Sequence, residues 1–369
     1  MNLAILHTEA SCGWGGQEIR VLTEMEAMQR RGHRVHLITP AHAAIHAAAH
    51  ARGLSVDALP IEFRRPEGYL ALRRWMHRHG HAFDVCNTHS SADSWLAALV
   101  RIGHPRWPPL VRTRHVSTRI NRSRSTRWLY QRATAHIVVT GEALKCQLVR
   151  ENQYEASRIT SVRTGIDLAR FAPRDPEAMR ARHRLDQRPA LAIVATLRDW
   201  KGHDELLDAW LLLRARVPGW QMLVVGDGPR RAHLEARVAA AGLAQDVYFA
   251  GNRDDVEEWF GCADIVALPS WGEEGVPQSL MQAASCGRAA VSTSVGAMEE
   301  AVIHEITGLI VPPRDIAALA AALERLMCDS SLRAAMGMAG RTYALAHFGI
   351  DAMAEAMEAV FARVTGGRR

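Results

Sequence analysis

The sequence predicts an α/β protein built as two parallel-sheet domains. Short apolar runs alternate with helical stretches along the whole chain, which is the pattern of parallel βαβ construction. At 369 residues, 48% of them hydrophobic, the chain is too long for one ordinary α/β domain and can bury a core in each of two. A charged stretch between Asp167 and Pro189, punctuated by Pro173, Pro176 and Pro189, separates the halves. The expected divisions are 1–170, 171–347 and a closing segment 348–369.

In the first half the apolar runs 3–7, 34–39, 56–59, 83–88, 110–115, 135–140 and 159–162 are the expected strands. In the second half they are 191–196, 221–225, 247–250, 265–269, 289–293 and 309–311. Residues 314–327 carry Ile316, Leu319, Ala320, Leu323 and Met327 at helical spacing, a stripe expected to face a core. The last helix, expected over 351–364, has Met353, Met357, Val360, Phe361 and Val364 on one side. A tail, Gly366, Gly367, Arg368 and Arg369, is expected to fray.

Composition removes several classes. No uncharged apolar segment reaches eighteen residues, so no membrane span is expected. The chain enters a strand directly after Met1, without a cationic leader, and reads as cytoplasmic. The six cysteines (Cys12, Cys86, Cys146, Cys262, Cys286 and Cys328) form no Cys-x-x-Cys pair, against a zinc site or disulfide framework. Cys86 and Cys262 sit beside apolar runs and are expected to be buried. The formal charge of +6 is unevenly spread: between Arg101 and Arg132 there are nine arginines and no acidic residue. A field of one sign attracts phosphates, acidic sugars or anionic lipid heads, and Arg119, Arg122 and Arg124 are its candidate acceptor or membrane contacts. A merely solvated arginine-rich surface is the alternative. Nucleic acid is not the expected partner, because the arginines lack regularly interleaved aromatics for base stacking.

Open α/β sheets bind ligands beyond the carboxyl ends of their strands. After the first strand comes Cys12-Gly13-Trp14-Gly15-Gly16-Gln17-Glu18, leading into a helix expected at Ile19. Gly15 and Gly16 would let the backbone approach a phosphate at a helix N-terminus, although a tight turn explains the glycines as well. The spacing is neither a Rossmann fingerprint nor a Walker loop. In the second half, Leu197-Arg198-Asp199-Trp200-Lys201-Gly202-His203-Asp204 places two cations after a strand, suited to a diphosphate's compact charge. Gly226-Asp227-Gly228-Pro229 is a turn after the next strand. Pro269-Ser270-Trp271-Gly272-Glu273-Glu274-Gly275-Val276-Pro277-Gln278-Ser279 then opens the helix carrying Gln282. A carboxylate and backbone donors at a helix start can hold sugar hydroxyls and phosphate oxygens together.

Taken together, the glycine loop at 13–16, Thr164-Gly165-Ile166-Asp167, Lys201-Gly202, Gly226-Asp227-Gly228-Pro229, Pro269-Ser270 and Glu274-Gly275-Val276-Pro277 resemble the retaining group-1 (family 4) glycosyltransferases over nearly the full length. The resemblance implies the GT-B fold, α/β with two facing Rossmann-like domains and the C-terminal helix crossing back to the first. It implies that Arg198 and Lys201 neutralise the donor diphosphate. Glu274 would hold the transferred sugar in a pocket lined by the backbones of Gly275, Val276 and Pro277, with Gly226 also on the donor side. His115, one of eighteen histidines, matches the family histidine facing the donor sugar; with Glu274 it is the candidate catalytic residue. The implied substrate is a UDP- or GDP-sugar, with no cofactor and no metal, and no Asp-x-Asp pair follows a strand.

Three positions depart from the family pattern. Gln282 stands eight places after Glu274 where a second glutamate is common, and can bond ribose hydroxyls without a charge. Thr196 replaces an arginine five places before Lys201, so Arg198 would have to reach the same phosphate. Thr164 stands where asparagine is usual. The implied reaction is retaining transfer, with departure and attack on one face and a diphosphate oxygen helping to deprotonate the acceptor. The implied acceptor is a glycan or lipid-linked saccharide, as in lipopolysaccharide synthesis, met in the cytoplasm or at the inner membrane face. A nucleotide-sugar epimerase or phosphorylase on the same scaffold, and a catalytically silent scaffold suggested by Gln282 and Thr196, are the alternatives.

Overall fold

The computed structural model describes residues 2–115, 118–272 and 274–366. Glu273 and the expected tail residues Gly367, Arg368 and Arg369 lie outside the described residues. By packing, the chain divides into Met1–Gly165 together with Ile350–Arg369, and Ile166–Gly349. These divisions fall a few residues from 170 and 347. The reason is that Ile166 N–H bonds Phe348 O at 2.7 Å and Ile166 bridges Gly349, so both ends of the second unit meet at one place.

The first unit holds seven parallel strands: β1 (Ala4–Thr8), β2 (Arg34–Thr39), β3 (Val56–Ala58), β4 (Val85–Thr88), β5 (Leu110–Arg114), β6 (Thr134–Val139) and β7 (Ile159–Ser161). Their order is β3-β2-β1-β4-β5-β6-β7. Both faces of the sheet are covered, so the inner strands β1, β4 and β5 are buried along their whole length, the polar residues of β5 included. Ile5 on one face packs with Val21, Met25 and Leu37, and Leu6 on the other packs with Leu72, Leu96 and Val139. Helix Ile350–Thr365 belongs to this unit: Met353, Met357, Val360 and Phe361 lie in the same cluster as Ile5 and Val21. The wholly buried Phe361 contributes about 2–3 kcal/mol of apolar burial.

The second unit holds β8 (Ala190–Val194), β9 (Gln221–Val225), β10 (Val247–Gly251), β11 (Ile265–Leu268), β12 (Ala289–Thr293) and β13 (Gly308–Val311). Their order is β10-β9-β8-β11-β12-β13, all parallel. Leu191, Ile193, Trp210, Leu323 and Leu326 lie in its core. Each unit is thus a Rossmann-like doubly wound sheet, in which strand order reverses at β1/β4 and at β8/β11. Cys86 and Cys262 are buried, as expected of small apolar side chains.

Two helix starts differ from the sequence reading. The first helix spans Gly16–Arg30 rather than beginning at Ile19, because Ile19 N–H already bonds Gly15 O at 3.1 Å and Gly15 is its N-cap. The helix expected from 314 begins at Ile316, where the Asp315 carboxylate accepts from Ala318 N–H at 2.9 Å and satisfies an orphan donor.

Candidate functional site

In the second unit the loops after β8, β9, β11 and β12 gather at the point where strand order reverses, the place where open sheets hold ligands. Lys201 Nζ donates to Glu274 Oε1 at 2.6 Å, and Ser270 Oγ donates to the same oxygen at 2.9 Å. The Lys201 and Glu274 side chains are 18% and 11% exposed, so the pair is largely desolvated yet reachable. Glu274 is also held by its backbone: Ala297 N–H bonds Glu274 O at 3.1 Å. A Cβ at Gly296 (φ +56) would stand 2.1 Å from that oxygen, so only glycine permits the approach. Gly226 (φ +137) is equally constrained, since a Cβ there would meet Ala195 O at 2.0 Å.

Arg198 is exposed and lies 5.2 Å over the Trp200 ring. Among the described residues it makes no ion pair. Asp204, by contrast, is saturated: burial opposes its charge, but bonds from Arg237, Arg230 and His233 outweigh that and hold its carboxyl down at about 2. Arg230 also forms an ion pair with Asp199 at 2.9 Å, which ties the turn Asp199–Lys201 to Arg230. Gly275 and Val276 precede helix Gln278–Ser285, and their N–H groups donate to no described residue. Gln282 is half-buried on that helix.

In the first unit the reversal point lies between β1 and β4. Here Glu9 is wholly buried and accepts from Ser11 N–H at 2.8 Å, from Gln17 Nε2 at 2.6 Å and from Ser90 Oγ. Burial first, then the neighbouring Asp93 charge, raise its carboxyl to about 7, against the pull of those bonds. Asp93 is raised to about 6, mainly by burial, although Thr8 Oγ1 (2.7 Å) and His89 N–H (2.9 Å) both donate to it. His115 follows β5, half-buried, with Nε2 3.0 Å from His89 Nδ1. Burial, then the Arg20 and Arg112 charges, push its pKa well below the ordinary histidine value. Gly13 and Gly15 are not demanded by the chain itself. A Cβ at either would meet nothing nearer than Ser11 Oγ at 3.5 Å or Glu18 Oε2 at 3.8 Å, and Gly15 is fully extended. Gly16 is the first residue of the helix. Arg119, Arg122 and Arg124 follow β5, all exposed and without an ion pair among the described residues.

Residues 188–329 match the family model of group 1 glycosyl transferases, and residues 14–170 match that of glycosyltransferase family 4. A lipopolysaccharide core biosynthesis mannosyltransferase of Rhizobium meliloti is 31% identical over 265 residues, 68% of this chain and 72% of that protein. The chain belongs to the group 1 (family 4) glycosyltransferases. A GDP-mannose-dependent phosphatidylinositol monomannoside mannosyltransferase of Mycobacterium tuberculosis is 32% identical over 201 residues, and this chain spans about half of its length (52%). Among solved structures, Anabaena Alr3699/HepE in complex with UDP superposes with a TM-score of 0.87 at 19% identity, over 98% of this chain and 100% of that one. This likeness places the fold among the GT-B glycosyltransferases.

Within this family member, the structure brings Lys201, Glu274, Gly275 and Val276 into one cluster and places Arg198, Gly226 and Gln282 on the loops and helix around it. Sequence reasoning missed Ser270 as a partner of Glu274, and missed His7, Glu9, His89 and Asp93 altogether. Each of those four lies at a strand's carboxyl end or just beyond it, which was the available signal, but no motif joins them. His183, Asp255 and Glu258 also converge, with ligand atoms within 4.8 Å of one another. Their carboxylates are engaged by Arg253 at 2.6 Å and Arg182 at 3.1 Å, as an ion-pair network. Among the described residues no helix is long and apolar enough to cross a membrane.

Proposed function

We propose that the chain is a retaining glycosyltransferase that moves a sugar from a nucleoside-diphosphate sugar to a glycan or lipid-linked acceptor of the kind found in bacterial surface polysaccharides. The Lys201–Glu274–Ser270 cluster at the β8/β11 reversal, beside the N–H groups of Gly275 and Val276 that donate to no described residue, carries this reading. A diphosphate needs cations and backbone donors together, and a sugar needs a fixed carboxylate next to them. Lys201 and Arg198 stabilise the departing diphosphate, Glu274 and the Gly275 and Val276 backbones hold the transferred sugar, and Gln282 bonds ribose. The family resemblance assigns His115 to the transferred sugar, and Gly15 and Gly16 to a close approach by substrate.

In the reaction the bond from the anomeric carbon to the phosphate oxygen breaks, and a bond to the acceptor oxygen forms on the same face. The acceptor proton passes to the departing diphosphate. The protein contributes orientation and charge stabilisation, and no protein nucleophile or metal ion is needed. Relatives that use GDP-mannose and neighbours bound to UDP support a GDP- or UDP-sugar donor. Arg119, Arg122 and Arg124 meet an anionic acceptor or the inner membrane face, which makes the protein peripheral in the cytoplasm.

Thermal stabilisation by UDP, GDP and ADP, each with and without its sugar, tests the donor site directly. One nucleotide should raise the unfolding temperature, and its sugar form should then yield an acceptor-dependent product with retained anomeric configuration. Stabilisation by none of them would favour a silent scaffold. Conversion of the nucleotide-sugar without acceptor consumption would favour an epimerase.

A further inference from the structure

Three imidazoles stand in line at the carboxyl ends of β1, β4 and β5, which are neighbours in the sheet. His7 Nδ1 lies 3.0 Å from His89 Nε2, and His89 Nδ1 lies 3.0 Å from His115 Nε2. The His7 and His89 planes are within 7°, and those of His89 and His115 within 31°. His7 and His89 are buried. Among the described residues, His7 Nε2 is buried without a partner, and at the other end His115 Nδ1 makes no bond. The chain therefore has a closed inner end, and a half-buried outer end at the residue assigned to the transferred sugar.

Burial, with the neighbouring histidines and Arg20, disfavours a charge on His89, so it carries a single ring proton. It can donate at only one nitrogen and must accept at the other. If Nδ1–H of His89 donates to His115, then His115 holds its proton on Nδ1, and His7 must donate from Nδ1 to His89. If Nε2–H of His89 donates to His7, then all three rings carry the proton on Nε2. Any other arrangement of neutral rings leaves a buried bond unmade, which is costly.

We propose that His7, His89 and His115 share a single tautomer, and that His7 and His89 are positioning residues which decide whether His115 offers an N–H or a lone pair at Nδ1. The tautomer lock stands on the geometry of the first unit alone. Its consequence for turnover rests on the assignment of His115 under Proposed function. Substrate would meet one defined hydrogen-bonding polarity at His115; reversing that polarity would require the protons of both His–His bonds to cross, with one proton lost from His115 Nδ1 and one gained at His7 Nε2, or the reverse.

Ring 15N NMR of the histidine-labelled full chain reads the tautomers directly at neutral pH. His7, His89 and His115 should all show the proton on the same nitrogen, and His89→Phe, which keeps a ring but removes both nitrogens, should shift His115 to a mixture of tautomers. The wild-type spectrum needs no variant to fold. Opposite tautomers at His7 and His115 in wild type, or an unchanged His115 pattern in folded His89→Phe, would overturn the proposal. In a second arm, release of UDP from UDP-glucose and of GDP from GDP-mannose is followed in wild type and His89→Phe. Turnover should fall about 10- to 100-fold, as expected when a substrate-facing group loses its fixed orientation, while the affinity for UDP or GDP alone stays unchanged. Equal turnover in the folded variant would refute the positioning role. Wild-type protein that releases neither nucleotide would count against the donor assignment and leave the tautomer result to be judged by NMR.

Discussion

Replacing Glu274 by glutamine should tighten the binding of a free nucleoside diphosphate while lowering sugar transfer. Glu274 Oε1 stands 2.6 Å from Lys201 Nζ. A phosphate oxygen approaching that ammonium from its open side would come within about 5 Å of the carboxylate. At that separation and an effective dielectric of about 20 the repulsion is roughly 3 kcal/mol. Partial exposure and salt reduce it to about 1 kcal/mol, or roughly fivefold in Kd. Glutamine keeps an oxygen that accepts from Ser270 Oγ and Lys201 Nζ, so the local bonds survive and any loss of stability should stay within about 1 kcal/mol. Calorimetric titration with UDP and GDP, without any sugar, isolates the phosphate term from the sugar contact assigned to Glu274. Two salt concentrations show whether the gain is electrostatic, and a thermal unfolding curve reports the fold. If the nucleotide that binds wild type binds Glu274→Gln equally or more weakly, Lys201 is not the diphosphate's cation. Near-wild-type transfer by the folded variant would remove Glu274 from the sugar site.

The Cβ of Gly226→Ala would stand 2.0 Å from Ala195 O at φ +137. The second unit should therefore lose about 1–3 kcal/mol, and an unchanged unfolding temperature would contradict the close packing of that turn. Glu9 has its folded pKa raised from the ordinary 4.5 to about 7, so its contribution is full below pH 4.5 and is lost as pH rises through about 7. Glu9→Gln lacks this titration, so its unfolding temperature relative to wild type should climb between pH 4.5 and 7 and then level; a flat difference would refute the burial argument. Reversing Arg119, Arg122 and Arg124 to glutamate should abolish salt-sensitive association with anionic vesicles and leave nucleotide affinity unchanged. Equal vesicle binding by the variant would reduce the patch to a solvated surface.

Each of the thirteen strands among the described residues overlaps a run read from the sequence, and inner strands such as β1 and β11 are the plainest, because strands covered on both faces are buried along their length. The cations and carboxylate of the second unit were legible too, since Arg198, Lys201 and Glu274 each follow a strand in a short motif. Their pairing was not: Lys201 and Glu274 are 73 residues apart, and a sequence shows each charge without its partner. The first unit's polar cluster was less visible still. His7 and His89 are 82 residues apart, His89 and His115 another 26, and nothing local distinguishes them from the other histidines.

The sequence by itself determined which segments become strands and which loops carry charge. Those properties depend on neighbours within a turn or a strand, through burial periodicity and capping. Only the tertiary structure decided that β1, β4 and β5 lie side by side, which lines up three imidazoles, buries Glu9 against Ser90 and sets Asp93 beneath His89. It likewise gave the particular neighbours of the last helix, whose Met353 and Phe361 pack with Ile5 and Val21. Strand order and helix docking follow from how whole apolar faces exclude water together, a property of the folded surface that no single stretch of residues contains.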